Sequence, residues 1–156
     1  MRRTMEEPAT ITATRSFLAL LQNGPSSREL LRALDELAIA YHRSPEGDPS
    51  DDDAKAPRED YQERYARLGS LFPDYGHYAV SDPTQPLDES GMVGDAIDDL
   101  ADISADLEQV IWRFENIGPD DAHWHFRFLF EIHWGMHLRQ LSLYLHANAL
   151  RATVGD

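Results

Sequence analysis

The sequence predicts a single all-α domain, a helical bundle of about five helices. Three observations predict it. Apolar residues recur at helical spacing along five stretches, Gly and Pro punctuate the gaps between them, and nothing alternates with period two over the length of a strand. The segment 1–9 has no apolar run and is expected to be a disordered tail. Over residues 10–23, Ile11, Phe17, Leu18, Leu20 and Leu21 share one side of a first helix, which Asn23, Gly24 and Pro25 terminate. Ser26 and Glu29 form the S-x-x-E pattern of a capping box. Leu30, Leu31, Leu34, Leu37, Ala38 and Tyr41 then carry a second helix to about Arg43. The segment 44–57, with three prolines, a glycine and an acidic triplet, is too polar to bury and is expected to be a mobile acidic linker. Tyr61, Tyr65, Leu68 and Phe72 mark a third helix, and 73–91 is expected to be a long loop docked through Tyr75, His77, Tyr78 and Leu87. A fourth helix is expected from about Ser90 to Ile117, with Gly118 and Pro119 ending it. A fifth, from about Asp120 to Leu150, is apolar all round and is expected to be the central, most buried one.

A chain of 156 residues is one domain on length alone and can bury a core without staples. The absence of cysteine excludes a disulfide framework, a thiol nucleophile and any thiolate metal site, and it fits a cytoplasmic protein. No apolar run reaches the roughly 20 residues of a membrane span, and no signal-peptide pattern opens the chain. Twenty-eight acidic residues against 14 basic ones give a formal net charge of −14. That field repels nucleic acid and anionic membranes, so neither is an expected partner. Phosphate-binding glycine loops and a motif for a nucleophilic triad are also missing.

Two stretches carry the chemistry. On the fourth helix Asp95, Asp98, Asp99, Asp102 and Asp106 fall within about a 100° arc. Like charges at such spacing repel by a few tenths of a kcal/mol per pair, so the stripe is either a solvated face or is neutralised from outside. The fifth helix holds five of the seven histidines, and His133 and His137 are four apart, which puts two imidazoles on one face. If the fourth and fifth helices run antiparallel across Gly118 and Pro119, Asp102 comes level with the turns from Phe130 to His137. Asp99, Asp102, Asp106, Glu131, His133 and His137 are then the candidate ligands of a divalent metal ion. Buried histidines donating to carboxylates explain the same pattern without a metal. Arg127 and Glu131, if buried, are expected to pair with each other or with a carboxylate of the fourth helix, as a structural ion pair, and Gly135 to mark a close approach by a neighbouring helix.

The segment MVGDAIDDLADISADLEQ followed by WHFRFLFEIHWGMHLRQLSLYLHA resembles the bacterial domain of unknown function 5063 family. The pattern G-x-x-x-D-D-L-x-D-I-x-x-D-L is met by Gly94, Asp98, Asp99, Leu100, Asp102, Ile103, Asp106 and Leu107. W-x-x-R-F-x-F-E-x-H-W-G-x-H is met by Trp124, Arg127, Phe128, Phe130, Glu131, His133, Trp134, Gly135 and His137. The resemblance extends over about 10–148 and implies the helical fold and a polar cluster of Asp98, Asp99, Asp102, Asp106, Arg127, Glu131, His133 and His137. It brings no reaction, substrate or cofactor with it.

Two functional readings follow. The preferred one is an interaction or regulatory module that docks a protein partner on the aspartate face or the apolar groove beside it. The alternative is a divalent-metal-binding bundle, with bound water available for hydrolysis.

Overall fold

Ile11, Phe17 and Leu21 turn one face of helix α1 (Ala9–Gln22) onto α2 (Ser27–Arg43), which returns Leu30, Leu34 and Leu37 to the same core. The computed structural model describes residues 5–151 except 52 and 90. The capping box at the start of α2 is formed: Ser26 Oγ accepts from Glu29 N at 3.2 Å, and Glu29 Oε2 accepts from Ser26 N at 2.9 Å. Residues 1–4 of the expected tail and Ser90, the expected start of the fourth helix, lie outside the described residues.

Helix α3 (Tyr61–Leu71) is capped by Asp60, whose side chain accepts from Glu63 N at 3.1 Å, and it packs on α4 (Ala96–Asn116). Between them the chain forms an antiparallel hairpin, β1 (His77–Ser81) with β2 (Gly91–Asp95). The fold is therefore predominantly helical rather than all-α, and part of the expected loop over 73–91 is strand. Gly94 pairs with Tyr78, and a Cβ on Gly94 would lie 2.6 Å from the Tyr78 ring, so the glycine lets that ring lie flat across the hairpin. Helix α4 consequently starts six residues later than expected, after Asp95, which caps Ile97 N and Asp98 N.

The expected fifth helix is two helices joined by a π turn. Helix α5 (Pro119–Leu129) passes through the π turn Phe130–Trp134 into α6 (Gly135–Leu145), and a second π turn, His146–Leu150, follows. Gly135 N donates to Phe130 O, and a Cβ on Gly135 would lie 2.3 Å from that oxygen. The close approach expected at Gly135 is thus made by its own helix rather than by a neighbour.

The central helix is α4, not the α5–α6 rod: α4 is packed by α1, α3, α5 and α6, whereas Phe128, Ile132, Met136 and Leu143 of the rod are exposed. Leu100, Ile103, Leu107 and Val110 of α4 are wholly buried. Each such side chain is worth about 1.5–3 kcal/mol, which outweighs the few tenths per pair lost to the aspartate stripe. Arg64, 4% exposed, joins α3 to α4 through Ser104 Oγ at 3.1 Å and Glu108 Oε2 at 2.5 Å. Within 44–57, Asp48 N donates to Asp120 O at 3.2 Å and Ser50 N to Asp121 Oδ1 at 2.9 Å, laying this strap along the start of α5. No helix among the described residues is long and apolar enough to cross a membrane.

Candidate functional site

The aspartate stripe of α4 faces the junction of the π turn with α6. Three of its carboxylates meet two imidazoles there. His137 Nδ1 lies 2.7 Å from Asp99 Oδ1 and its Nε2 lies 3.0 Å from Asp102 Oδ2. His133 Nδ1 lies 2.6 Å from Asp106 Oδ2 and its Nε2 lies 3.7 Å from the same Asp102 Oδ2. The two rings stand 5.0 Å apart, nearly perpendicular. Both Nε2 atoms therefore converge on one carboxylate, and each Nδ1 is held from behind by another.

Burial opposes charge on the His137 ring, but its hydrogen bonds to Asp102 and Asp99 outweigh burial and raise its pKa from 6.5 to about 10. Burial likewise works against the Asp102 carboxylate, and the His137 hydrogen bond reverses the balance and lowers its pKa. For Asp106 burial prevails over the hydrogen bond from His133, and the pKa is raised. Asp98 is also raised, chiefly by burial.

Tyrosines from the flanking elements complete the network. Tyr61 of α3 donates to Asp98 Oδ1, Tyr78 of β1 to Asp99 Oδ2, and Tyr65 of α3 to Asp95 Oδ2, the last at 2.6 Å. Burial, with the neighbouring carboxylates, pushes the Tyr61 and Tyr78 phenols far up, so both remain donors at neutral pH. The sequence assigns Tyr61, Tyr65 and Tyr78 to packing rather than to the cluster, because tyrosine at helical spacing has the signature of core. The available signal is the stripe itself, since crowded carboxylates need donors and helix α3 carries Tyr61 and Tyr65.

The structure brings Asp98, Asp99, Asp102, Asp106, His133 and His137 together and places Glu131 and Arg127 elsewhere. Two residues before His133, Glu131 turns roughly 200° away around the helix, where it accepts from Tyr41 at 2.7 Å. Arg127 is not chiefly its partner: the closest approach is 4.0 Å, and Arg127 instead donates to the carbonyls of Tyr41 at 3.0 Å and Ser44 at 3.2 Å. One ligand atom each from Asp102, His133 and His137 lies within 4.8 Å of the others, and the same holds for Asp98, Asp99 and His137. A cavity of about 150 Å³ lined by Arg58, Tyr61, Asp102, Asp106 and His133, among others, borders the first group.

A family model described as a domain of unknown function (DUF5063) matches residues 3–151. No curated protein matches the chain. Among solved structures, the chain is similar in fold to protein BF1032 from Bacteroides fragilis, a Northeast Structural Genomics Consortium target. The superposition has a TM-score of 0.70 at 20% identity and covers 90% of this chain and 89% of that one.

Proposed function

The chain belongs to the family of domain of unknown function DUF5063, and from the geometry of the seam we propose that it binds a divalent transition-metal ion through His133, His137 and Asp102. A single observation carries this reading: the Nε2 atoms of both histidines face Asp102 Oδ2, at 3.7 and 3.0 Å, while Asp106 and Asp99 hold the Nδ1 atoms. Metal-binding histidines characteristically donate the other ring N–H to a carboxylate, which fixes the tautomer and aims the free nitrogen. Two such pairs aimed at a third carboxylate supply two nitrogens and one oxygen, a set that suits zinc, iron or manganese better than the all-oxygen preference of magnesium or calcium.

In the metal-free protein the protonated His137 ring donates Nδ1–H to Asp99 and Nε2–H to Asp102, and a bound ion would take the place of the Nε2 proton. Three protein ligands leave coordination positions for water, which the ion would acidify for hydrolysis. Carboxylates outnumber free cations around the cavity, since Arg64 is already engaged by Glu59 and Glu108. Phosphorylated substrates are therefore disfavoured.

Thermal melts test the proposal. Zinc, manganese or iron(II) is expected to raise Tm with saturation, by binding the native state, and His133→Gln with His137→Gln to abolish the rise. Ions that stabilise no more than sodium chloride at matched ionic strength would overturn it, because screening of the aspartates neither saturates nor discriminates.

A further inference from the structure

Phe128, Ile132 and Met136 follow one another at intervals of four along the α5–α6 rod and are 38%, 61% and 49% exposed. None of them takes part in the seam. Trp124 stacks on Phe128, with ring centroids 4.7 Å apart and planes inclined by 21°. These two rings share a cavity of about 300 Å³ with Glu46 and Asp48 of the strap and with Arg127 and Glu131. Arg127 is committed to the carbonyls of Tyr41 and Ser44, and its guanidinium lies 4.8 Å over the Tyr41 ring. Glu46 and Asp48 make no side-chain ion pair among the described residues, and Glu131 is half-exposed. The cation further along the stripe, Arg139, leans over the Phe130 ring. An apolar stripe about 12 Å long thus ends at an aromatic platform bordered by Glu46 and Asp48, which make no ion pair among the described residues, and by Glu131, whose nearest cation is Arg127 at 4.0 Å.

The geometry points to this face as the docking site for a basic amphipathic helix of a partner protein. Apolar side chains at i, i+4 and i+8 are the complement of such a helix laid in a groove. The stacked rings accept an arginine guanidinium or a lysine stem, and Glu46, Asp48 and Glu131 accept its charge. The net charge of −14 steers a basic partner and repels nucleic acid and anionic lipid. A second copy of this chain carries the same net charge of −14 and is repelled by it, so the occupant is a different, basic protein. This surface is independent of the metal proposal.

The test is fluorescence anisotropy with three labelled synthetic peptides: an amphipathic helix of leucine and arginine, a scrambled peptide of the same composition, and a leucine–glutamate counterpart. The leucine–arginine helix is expected to bind, the scrambled peptide at least tenfold more weakly, and the acidic one not at all. Phe128→Ser with Ile132→Ser should weaken binding by about tenfold or more. Glu46→Gln with Asp48→Asn should weaken it several-fold and flatten its salt dependence. All four positions are partly or largely exposed, so the variants keep the fold, which their melts check, and His133→Gln leaves the affinity unchanged. Equal binding of the scrambled peptide, or unchanged affinity in both double variants, would overturn the proposal. So would sedimentation of the parent as a dimer that Ile132→Asp converts to monomer.

Discussion

His137 and Asp99 meet across the seam between α6 and α4, with Nδ1 and Oδ1 2.7 Å apart and both side chains largely buried. Asp102 closes on the opposite nitrogen at 3.0 Å, so in the metal-free protein the imidazole is clamped between two carboxylates. Its pKa, raised from 6.5 to about 10, is a statement about stability. A raised folded-state value stabilises fully below the unfolded value and ceases to do so as pH rises through the folded one. In chelator, His137→Gln is therefore expected to lose about 2–3 kcal/mol near pH 6, a deficit that shrinks between pH 6.5 and about 10. Melts of parent and variant across that range, with an NMR titration of the His137 ring, check both the size and the window. A deficit that grows with pH would contradict the clamp.

Gly135→Ala puts a methyl where Phe130 O already stands, 2.3 Å from the ideal Cβ position. The π turn must then shift or close, at a cost of about 1–3 kcal/mol. Because His133 lies within that turn and His137 beyond it, the ion-dependent rise in Tm should also fall. Melts with and without zinc read both effects, and an Ala variant with undiminished stability would show that the turn tolerates the group.

Arg64 is 4% exposed and bonded to Ser104, Glu108 and Glu59. Arg64→Ala leaves the buried Ser104 hydroxyl without its donor and Glu108 without its cation, while Glu59 keeps Arg67 at 2.8 Å, and a loss of roughly 2–4 kcal/mol is expected in urea unfolding. Arg64→Lys should recover only part of it, since an ammonium cannot reproduce the planar fork.

Arg127→Ala and Glu131→Ala should separate. The arginine satisfies two carbonyls of the α2 terminus, and its removal is expected to lower stability by about 1–2 kcal/mol. Glu131 is half exposed and 4.0 Å from the guanidinium, so its removal should cost less than about 1 kcal/mol. Equal losses would restore the mutual ion pair that their spacing alone suggests.

The sequence carries the site further than it carries the fold around it. Angular arithmetic on Asp99, Asp102, Asp106, His133 and His137 suffices to face the two helices, because side-chain direction on a helix follows from residue number. The capping box at Ser26 is equally local. The hairpin is not legible in this way: His77–Ser81 alternates over only five residues, and Met92 and Val93 on its partner strand are exposed. Its pairing depends on Gly94 yielding to the Tyr78 ring, a tertiary contact. The π turn escapes for a related reason, since one added residue in a helix leaves the apolar pattern nearly intact, whereas Glu131 is turned from the cluster by its two-residue offset from His133 alone. The all-round apolarity of residues 120–150 suggested a buried rod. It instead serves a core on one side and an exposed stripe on the other, which periodicity cannot distinguish.

The central claim is that Asp102, His133 and His137 hold an ion, and native mass spectrometry of tag-free protein incubated with zinc, manganese, iron(II) or cobalt measures it most directly. The account predicts a complex with one ion per chain for at least one of these metals, lost in His133→Gln with His137→Gln and retained in Glu131→Gln, whose side chain lies outside the cluster. Only metal-free protein in every incubation, or ion binding that survives loss of both histidines, would contradict it.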